Sequence, residues 1–200
     1  MRPGDGDFPQ SATATFFRER LSGKGMLGLL LGTIWFLLPA YAANMTPVFA
    51  ARLLGNHFAQ PLDLGRSWRG HRILGDHKTI RGFVVGISAA ILTSIAQHRA
   101  VPWFALGSAA NPAVLGFLLG AGALLGDAMK SFFKRRRGIE PGASWIPFDQ
   151  IDLVVGALAM SSLYAPAPLS VIGVALGFTF FAALAAKRVG YLLGVSEAPR

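Results

Sequence analysis

Cysteine is absent from this chain. That excludes a disulfide framework, a thiolate nucleophile and any Cys-ligated metal centre. Charge is scarce too: 14% of the residues are charged, against about 25% in soluble domains. Acids are the rarer sign, ten against nineteen Lys and Arg, and there are only four histidines. A metal site in such a chain must be built chiefly from carboxylates, which favour hard ions such as Mg²⁺. No internal repeat or low-complexity tract stands out. Twenty-four glycines and twelve prolines argue against a coiled coil. They fit membrane helices, where both residues are commoner than in soluble ones.

What is abundant is apolar sequence, with a mean hydropathy of +0.47. Residues 25–51, 82–98, 100–126 and 153–186 contain no Asp, Glu, Lys or Arg. A spanning helix needs about 20 mostly apolar residues. The last stretch is divided by Ala165-Pro166-Ala167-Pro168, a turn signal. The pattern therefore predicts an all-α polytopic membrane protein with about five transmembrane helices, over 26–48, 82–99, 111–130, 150–165 and 169–187. Residues 26–194 read as a single transmembrane catalytic domain, with a polar or interfacial segment at 1–25 and a tail at 195–200.

The net charge of +9 would suggest nucleic acid in a soluble chain. Here the basic residues flank apolar runs, so the partners they imply are the bilayer and phosphate groups, not nucleic acid. Fourteen Lys and Arg lie in the segments 52–81 and 130–149 and the C-terminal tail, and five on the other side. The positive-inside rule then places both loops and the C-terminus in the cytoplasm. This predicts a multi-pass protein of the inner (cytoplasmic) membrane with its site facing the cytoplasm. Residues 15–21 suit an interfacial position. Arg18, Arg20 and Lys24, followed by 26–38 and Pro39-Ala40-Tyr41-Ala42, imitate a cleavable secretory signal. The three acids in the long preceding region, and an apolar run that continues past the cut, argue for a retained first helix.

Six of the ten acids fall in or beside the two loops: Asp63, Asp76, Asp127, Glu140, Asp149 and Asp152. Asp127 closes the third apolar span; Asp149 and Asp152 open the fourth. A carboxylate at a membrane helix end is costly unless it is paired or binds a cation. Asp127, Ser131 and Lys134 share one helical face, as do Asp149 and Asp152. The two helices are consecutive and antiparallel, so their acids can converge and hold one or two Mg²⁺ ions, with water and phosphate oxygens as the other ligands. The plainer alternative is that Asp149 caps a helix and Asp127 pairs with Lys130 or Lys134; three acids at two neighbouring ends favour a site. In the run Lys134-Arg135-Arg136-Arg137, Lys134 and Arg135 lie nearest the Asp127 face and suit a phosphate clamp. The segment 69–82 offers glycines, Lys78-Thr79 and arginines to phosphates, but it is not a P-loop, which needs a contiguous Gly-Lys-Thr. His71 and His77 read as solvated or hydrogen-bonded. Asn44 and Pro47 mark either a kink lining a cavity or a helix end.

These segments resemble a known family. Ala43-Asn44-Met45-Thr46-Pro47-Val48, Pro61-Leu62-Asp63, Arg72 through Phe83, Gly126 through Arg136 and Pro147-Phe148-Asp149-Gln150-Ile151-Asp152 are similar, in order and spacing, to the CDP-archaeol synthase family. The last two also resemble a reduced phosphatidate cytidylyltransferase signature. The resemblance implies a five-helix membrane enzyme that joins CTP to a dialkyl- or diacyl-glycerol phosphate, giving a CDP-lipid and pyrophosphate with Mg²⁺. Carried onto this chain, Asp127, Asp149 and Asp152 would be the metal and catalytic carboxylates. Lys78, Arg81, Ser131, Lys134 and Arg135 would hold phosphates, and Asp76, Thr79 and Asn44 in the matching motifs complete the substrate-binding set. His77 stands where the pattern has a small residue, and Ile80 where it has Trp.

Three rival readings fit the residues less well. A CDP-alcohol phosphotransferase needs an Asp-Gly-x2-Ala-Arg motif that the apolar region lacks. A small transporter would carry charge at mid-membrane in paired half-repeats, whereas charge here lies on one side. A non-catalytic membrane subunit would not gather acids at two helix ends. A homodimer is compatible with the sequence.

Overall fold

The computed structural model describes residues 25–100, 111–139 and 143–192, without the side chains of 190–192. The expectations for 1–24, for Glu140 and for the tail beyond 192 lie outside the described residues. Five helices make up most of what is described: α1 (Gly25–Leu54), α2 (Ile80–Ala100), α3 (Pro112–Arg136), α4 (Phe148–Ser161) and α5 (Leu169–Leu192). A two-stranded antiparallel hairpin, β1 (Ser67–Trp68) and β2 (His71–Arg72), sits in the α1–α2 loop. The all-α reading holds, and among the described residues this hairpin is the one element it omitted.

The apolar runs form helices for the expected reason: in hydrocarbon each backbone polar group must be satisfied within its own segment. Four helices are long and apolar enough to cross a bilayer: α1, α2, α3 and α5. The exception is α4. Its 14 residues rise about 21 Å, short of a hydrocarbon core about 30 Å thick. It ends at Ser161 instead of at 165, because the chain turns ahead of the Pro166–Pro168 break.

Other ends moved outward. α1 continues through Pro39 and Pro47 to Leu54, so Asn44 and Pro47 lie inside a helix and do not end one. α3 runs two turns further than hydropathy implies, through the basic run to Arg136. It stops there because Gly138 takes φ +66°, the left-handed exit that glycine favours, and Gly138 N and Ile139 N fold back to donate to Arg135 O and Lys134 O.

α3 is the central helix, packed against α1, α2 and α4; α5 lies on α1 and α4. Leu37, Leu119, Val154 and Val171 are fully buried where α1, α3, α4 and α5 meet. α3 and α4 approach through glycine. A Cβ on Gly122 would overlap the Gly156 carbonyl oxygen, and one on Gly126 the Asp152 carbonyl oxygen. That approach, one residue before Asp127, brings the acids of the two helices within reach of each other. The α1–α2 loop, the C-terminal end of α3 and the start of α4 all lie at one end of the bundle. Lys187, late in α5, reaches the same end and donates to Ser144 Oγ.

Candidate active site

The three acids singled out from sequence do converge, and they converge on Lys130. Its Nζ lies 3.0 Å from Asp127 Oδ1, 2.7 Å from Asp152 Oδ2 and 3.5 Å from Asp149 Oδ1. Lys78, from the α1–α2 loop, pairs with the other oxygen of Asp127. Lys134 takes Asp149, at 3.0 and 3.1 Å from its two oxygens. The shared stripe of Asp127 and Lys134 therefore does not make them partners. Lys134 reaches forward to α4 and also donates to Ala143 O at 2.5 Å. Asp149 also accepts from its own Trp145 N–H at 2.6 Å. Three carboxylates and three ammonium groups thus form one network across three segments. Burying charge is expensive, and mutual pairing of this kind makes these helix ends tolerable.

The other candidates separate into groups. Lys78, Asp76, Asp127, Ser131, Lys134 and Arg135 line a cavity of about 420 Å³ between the hairpin and α3. Its charged lining is five cations (Arg72, Lys78, Lys130, Lys134 and Arg135) against Asp76 and Asp127. Arg135 Nε is buried with no hydrogen-bond partner among the described residues. Ser131 Oγ donates to Asp127 O at 2.9 Å, and Asp76 sits at the exposed rim, paired with Arg72 at 2.8 Å. Asn44 and Thr79 line a second cavity of about 330 Å³ with Pro47, Phe83 and Leu124. His77, Lys78 and Asp127 border both cavities. Thr79 Oγ1 accepts from Gly82 N–H and so caps α2.

Arg81 departs from its expected place. It turns away from the polar cavity and donates to Gly55 O at 3.0 Å and His57 O at 2.5 Å, on the wall of a groove of about 910 Å³ lined by Leu54, Phe58, Ile80 and Val84.

Two features escaped the sequence reading. Lys130 was only an i,i+3 partner for Asp127; its central place depends on α4. Asp63 organises the α1–α2 loop. Its carboxylate accepts from Gly65 N at 3.0 Å, Leu74 N at 2.9 Å, Gly75 N at 3.2 Å and Arg72 Nη2 at 2.9 Å. Burial pushes its pKa up, but the donors from Leu74, Arg72, Gly75 and Gly65 outweigh burial and hold it down at about 2. The signal was there in Pro61-Leu62-Asp63-Leu64-Gly65: an Asp two residues before a Gly in a turn-rich segment closes on the backbone ahead of it.

The CarS-like CDP-archaeol synthase family model matches residues 26–200. The CDP-archaeol synthase of Methanospirillum hungatei is 43% identical over 175 residues, covering 82% of this chain and 99% of that one. The CDP-archaeol synthase of Methanocaldococcus jannaschii is 35% identical, covering 84% and 96%. A solved structure, described as an intramembrane enzyme for archaeal membrane lipids biosynthesis, superposes with a TM-score of 0.60 at 35% identity, over 78% of this chain and 93% of that one.

Proposed function

We infer the reaction from the premise that the chain belongs to the CDP-archaeol synthase family: it is a membrane-embedded cytidylyltransferase whose product is a CDP-lipid. We propose that CTP is the nucleotide and a dialkylglycerol phosphate the acceptor, on the cytoplasmic side of the cell membrane. The observation that carries this is the pair of cavities meeting at Lys78 and Asp127. The larger, with its five cations, suits a polyphosphate. The smaller, walled by Asn44, Phe83 and Leu124, suits the phosphoglycerol end of a lipid, and the apolar groove beside Ile80 and Val84 suits hydrocarbon.

A lipid phosphate oxygen attacks the α-phosphorus of CTP. The new P–O bond forms as the bond to the β-phosphate oxygen breaks, and pyrophosphate leaves. The attacking group is already an anion, so no strong general base is required. The protein supplies in-line positioning and charge neutralisation. Lys78, at the junction, faces the reacting phosphates; Lys134 and Arg135 hold the leaving pyrophosphate.

The donor set fits Mg²⁺ in kind, since carboxylate oxygens are hard ligands. Among the described residues no three acids or histidines form a ready metal cage, so an ion here would draw its remaining ligands from water and substrate phosphates. Asp127 and Asp152, with Asp149 behind them, would hold it. Bound there it would neutralise phosphate charge.

The test is incorporation of labelled nucleotide into lipid by the purified protein, comparing CTP with other triphosphates and dialkyl- with diacyl-glycerol phosphate. CTP-dependent formation of a CDP-dialkylglycerol is the expected outcome. Equal use of all four triphosphates would overturn the nucleotide assignment, and preference for the diacyl acceptor would overturn the lipid one.

A further inference from the structure

Of the four consecutive basic residues 134–137, Lys134 and Arg135 line the polar cavity, whereas Arg136 turns to the hairpin. Phe132 and Arg136 are four apart on α3 and share a face. The Arg136 guanidinium carbon lies 4.7 Å from the Phe132 ring centre and 4.9 Å from that of Trp68, at the start of the hairpin. The two rings are themselves stacked, 6.0 Å apart at 19°. Arg136 Nη1 donates to Trp68 O at 2.8 Å and reaches His71 O at 3.5 Å. It therefore bridges the carbonyls of the paired residues Trp68 and His71. Its Nε and Nη2 are buried with no hydrogen-bond partner among the described residues; the aromatic faces are what they meet. Cation–π contacts contribute about 0.5–2 kcal/mol each, more where desolvated.

The place of this contact gives it a role. Gly70, His71 and Arg72 of the hairpin form one wall of the polar cavity, and Lys130, Ser131, Lys134 and Arg135 of α3 form the facing wall. Two backbone strands of two residues each are too short to hold a wall in place alone. We propose that Arg136 is a positioning residue for nucleotidyl transfer, a latch that fixes the β1–β2 hairpin against α3 and so sets the width of the cavity that takes the nucleotide's polyphosphate. This rests on the functional reading above for the identity of the ligand, but not for the existence of the latch.

Two readouts on the full-length protein in bilayer nanodiscs separate the two. The first is hydrogen exchange over residues 66–74, without substrates. Arg136→Ala is expected to speed it at least tenfold, with α2 and α3 unchanged; unaltered exchange overturns the latch whatever the activity. The second is steady-state kinetics with CTP and Mg²⁺. Arg136→Ala is expected to raise KM for CTP about tenfold, while kcat at saturating CTP and KM for the lipid phosphate stay within about threefold. Arg136→Lys keeps the charge and loses the planar fork, and is expected to stay close to Arg136→Ala. Full recovery by Lys, or an unchanged KM for CTP in a protein that makes CDP-lipid, overturns the positioning role. A wild-type protein that makes no CDP-lipid fails the functional reading, and the exchange result then decides the latch by itself. If Arg136→Ala does not purify, Trp68→Leu attacks the same contact from the hairpin and carries the same expectations, with recovery in Trp68→Phe; a Trp68→Leu protein indistinguishable from wild type in both readouts overturns the proposal.

Discussion

α3 and α5 are both apolar helices long enough to span a bilayer, yet they do different work. Half of the apolar window of α3 is buried within the protein, against 17% of that of α5. α3 is packed on three helices, holds close glycine contacts with α4, and bears Asp127, Lys130, Ser131, Lys134, Arg135 and Arg136 on its last two and a half turns. α5 is mostly open to its surroundings, and its described polar links to the rest are Thr179 to Tyr41 Oη at 2.6 Å and Lys187 to Ser144. One helix positions chemistry. The other anchors the bundle and steadies one loop. Being apolar enough to span, as both are, therefore says little about which helix holds the site; close approach and helix-end charge say more.

The largest effect is expected at the facing acids of α3 and α4. Asp127→Asn and Asp152→Asn each leave the half-buried Lys130 short of a partner, a loss below the about 3–5 kcal/mol of removing one side of a fully buried pair. Turnover is expected to fall at least a hundredfold in protein that still inserts and purifies. Wild-type turnover in purified Asp127→Asn would remove the carboxylate network from the mechanism.

The glycines come next, and they contrast the two helices directly. Gly126→Ala places a Cβ on the Asp152 backbone oxygen, and such overpacking costs about 1–3 kcal/mol. Gly177→Ala in α5 meets nothing within 4 Å, and alanine is the better helix former by about 1 kcal/mol. Thermal unfolding in detergent should show Gly126→Ala lowered and Gly177→Ala unchanged or raised. The reverse order would mean that α5, not α3, is the tightly packed helix.

The basic run gives a finer contrast. Lys134→Ala and Arg135→Ala should raise KM for CTP or slow turnover about tenfold. Arg137→Ala should change either less than twofold, because Arg137 is exposed over the Trp145 ring, 5.3 Å from its centre. Equal, mild effects from all three would make the run an orientation signal alone.

The smallest effect is a pH dependence confined to the α1–α2 loop. The Asp63 pKa is about 2 in the folded loop against 3.8 for a free side chain. Its contribution to stability is therefore fully present above about pH 4 and is lost as pH falls through 2. Amide protection at Leu74 and Gly75, corrected for intrinsic exchange, should fall over that window in wild type. In Asp63→Asn it should be low and flat. Protection that holds down to pH 2 in wild type would show that the loop does not depend on the carboxylate.

The helices were legible, and their ends were not. Residues 82–99 became Ile80–Ala100, whereas the expected end of the third helix at 130 moved to Arg136. Hydropathy stops where lipid stops, but a helix continues while its backbone bonds and caps allow. Pro47 looked equally like a break or a kink, and the helix runs through it, as neighbouring helices permit inside a membrane bundle. The hairpin was hidden because Ser67-Trp68 and His71-Arg72 are too short and polar to show alternation. At the site, the meeting of Asp127, Asp149 and Asp152 was readable from helix order and spacing, while the lysine at their centre was not.

From its own residues, then, the sequence determined that this is a membrane protein, where its apolar segments lie, that most of its acids and cations gather in the two loops and the tail, and through its motifs the family to which it belongs. Those are local properties: lipid demands that each segment satisfy its own backbone, and charge is excluded from it residue by residue. Which cation meets which acid was settled only in three dimensions. Lys130 and Lys134 are one turn apart on the same helix, and their partners depend on how far glycine lets α4 approach α3 and on how α4 is rotated when it arrives.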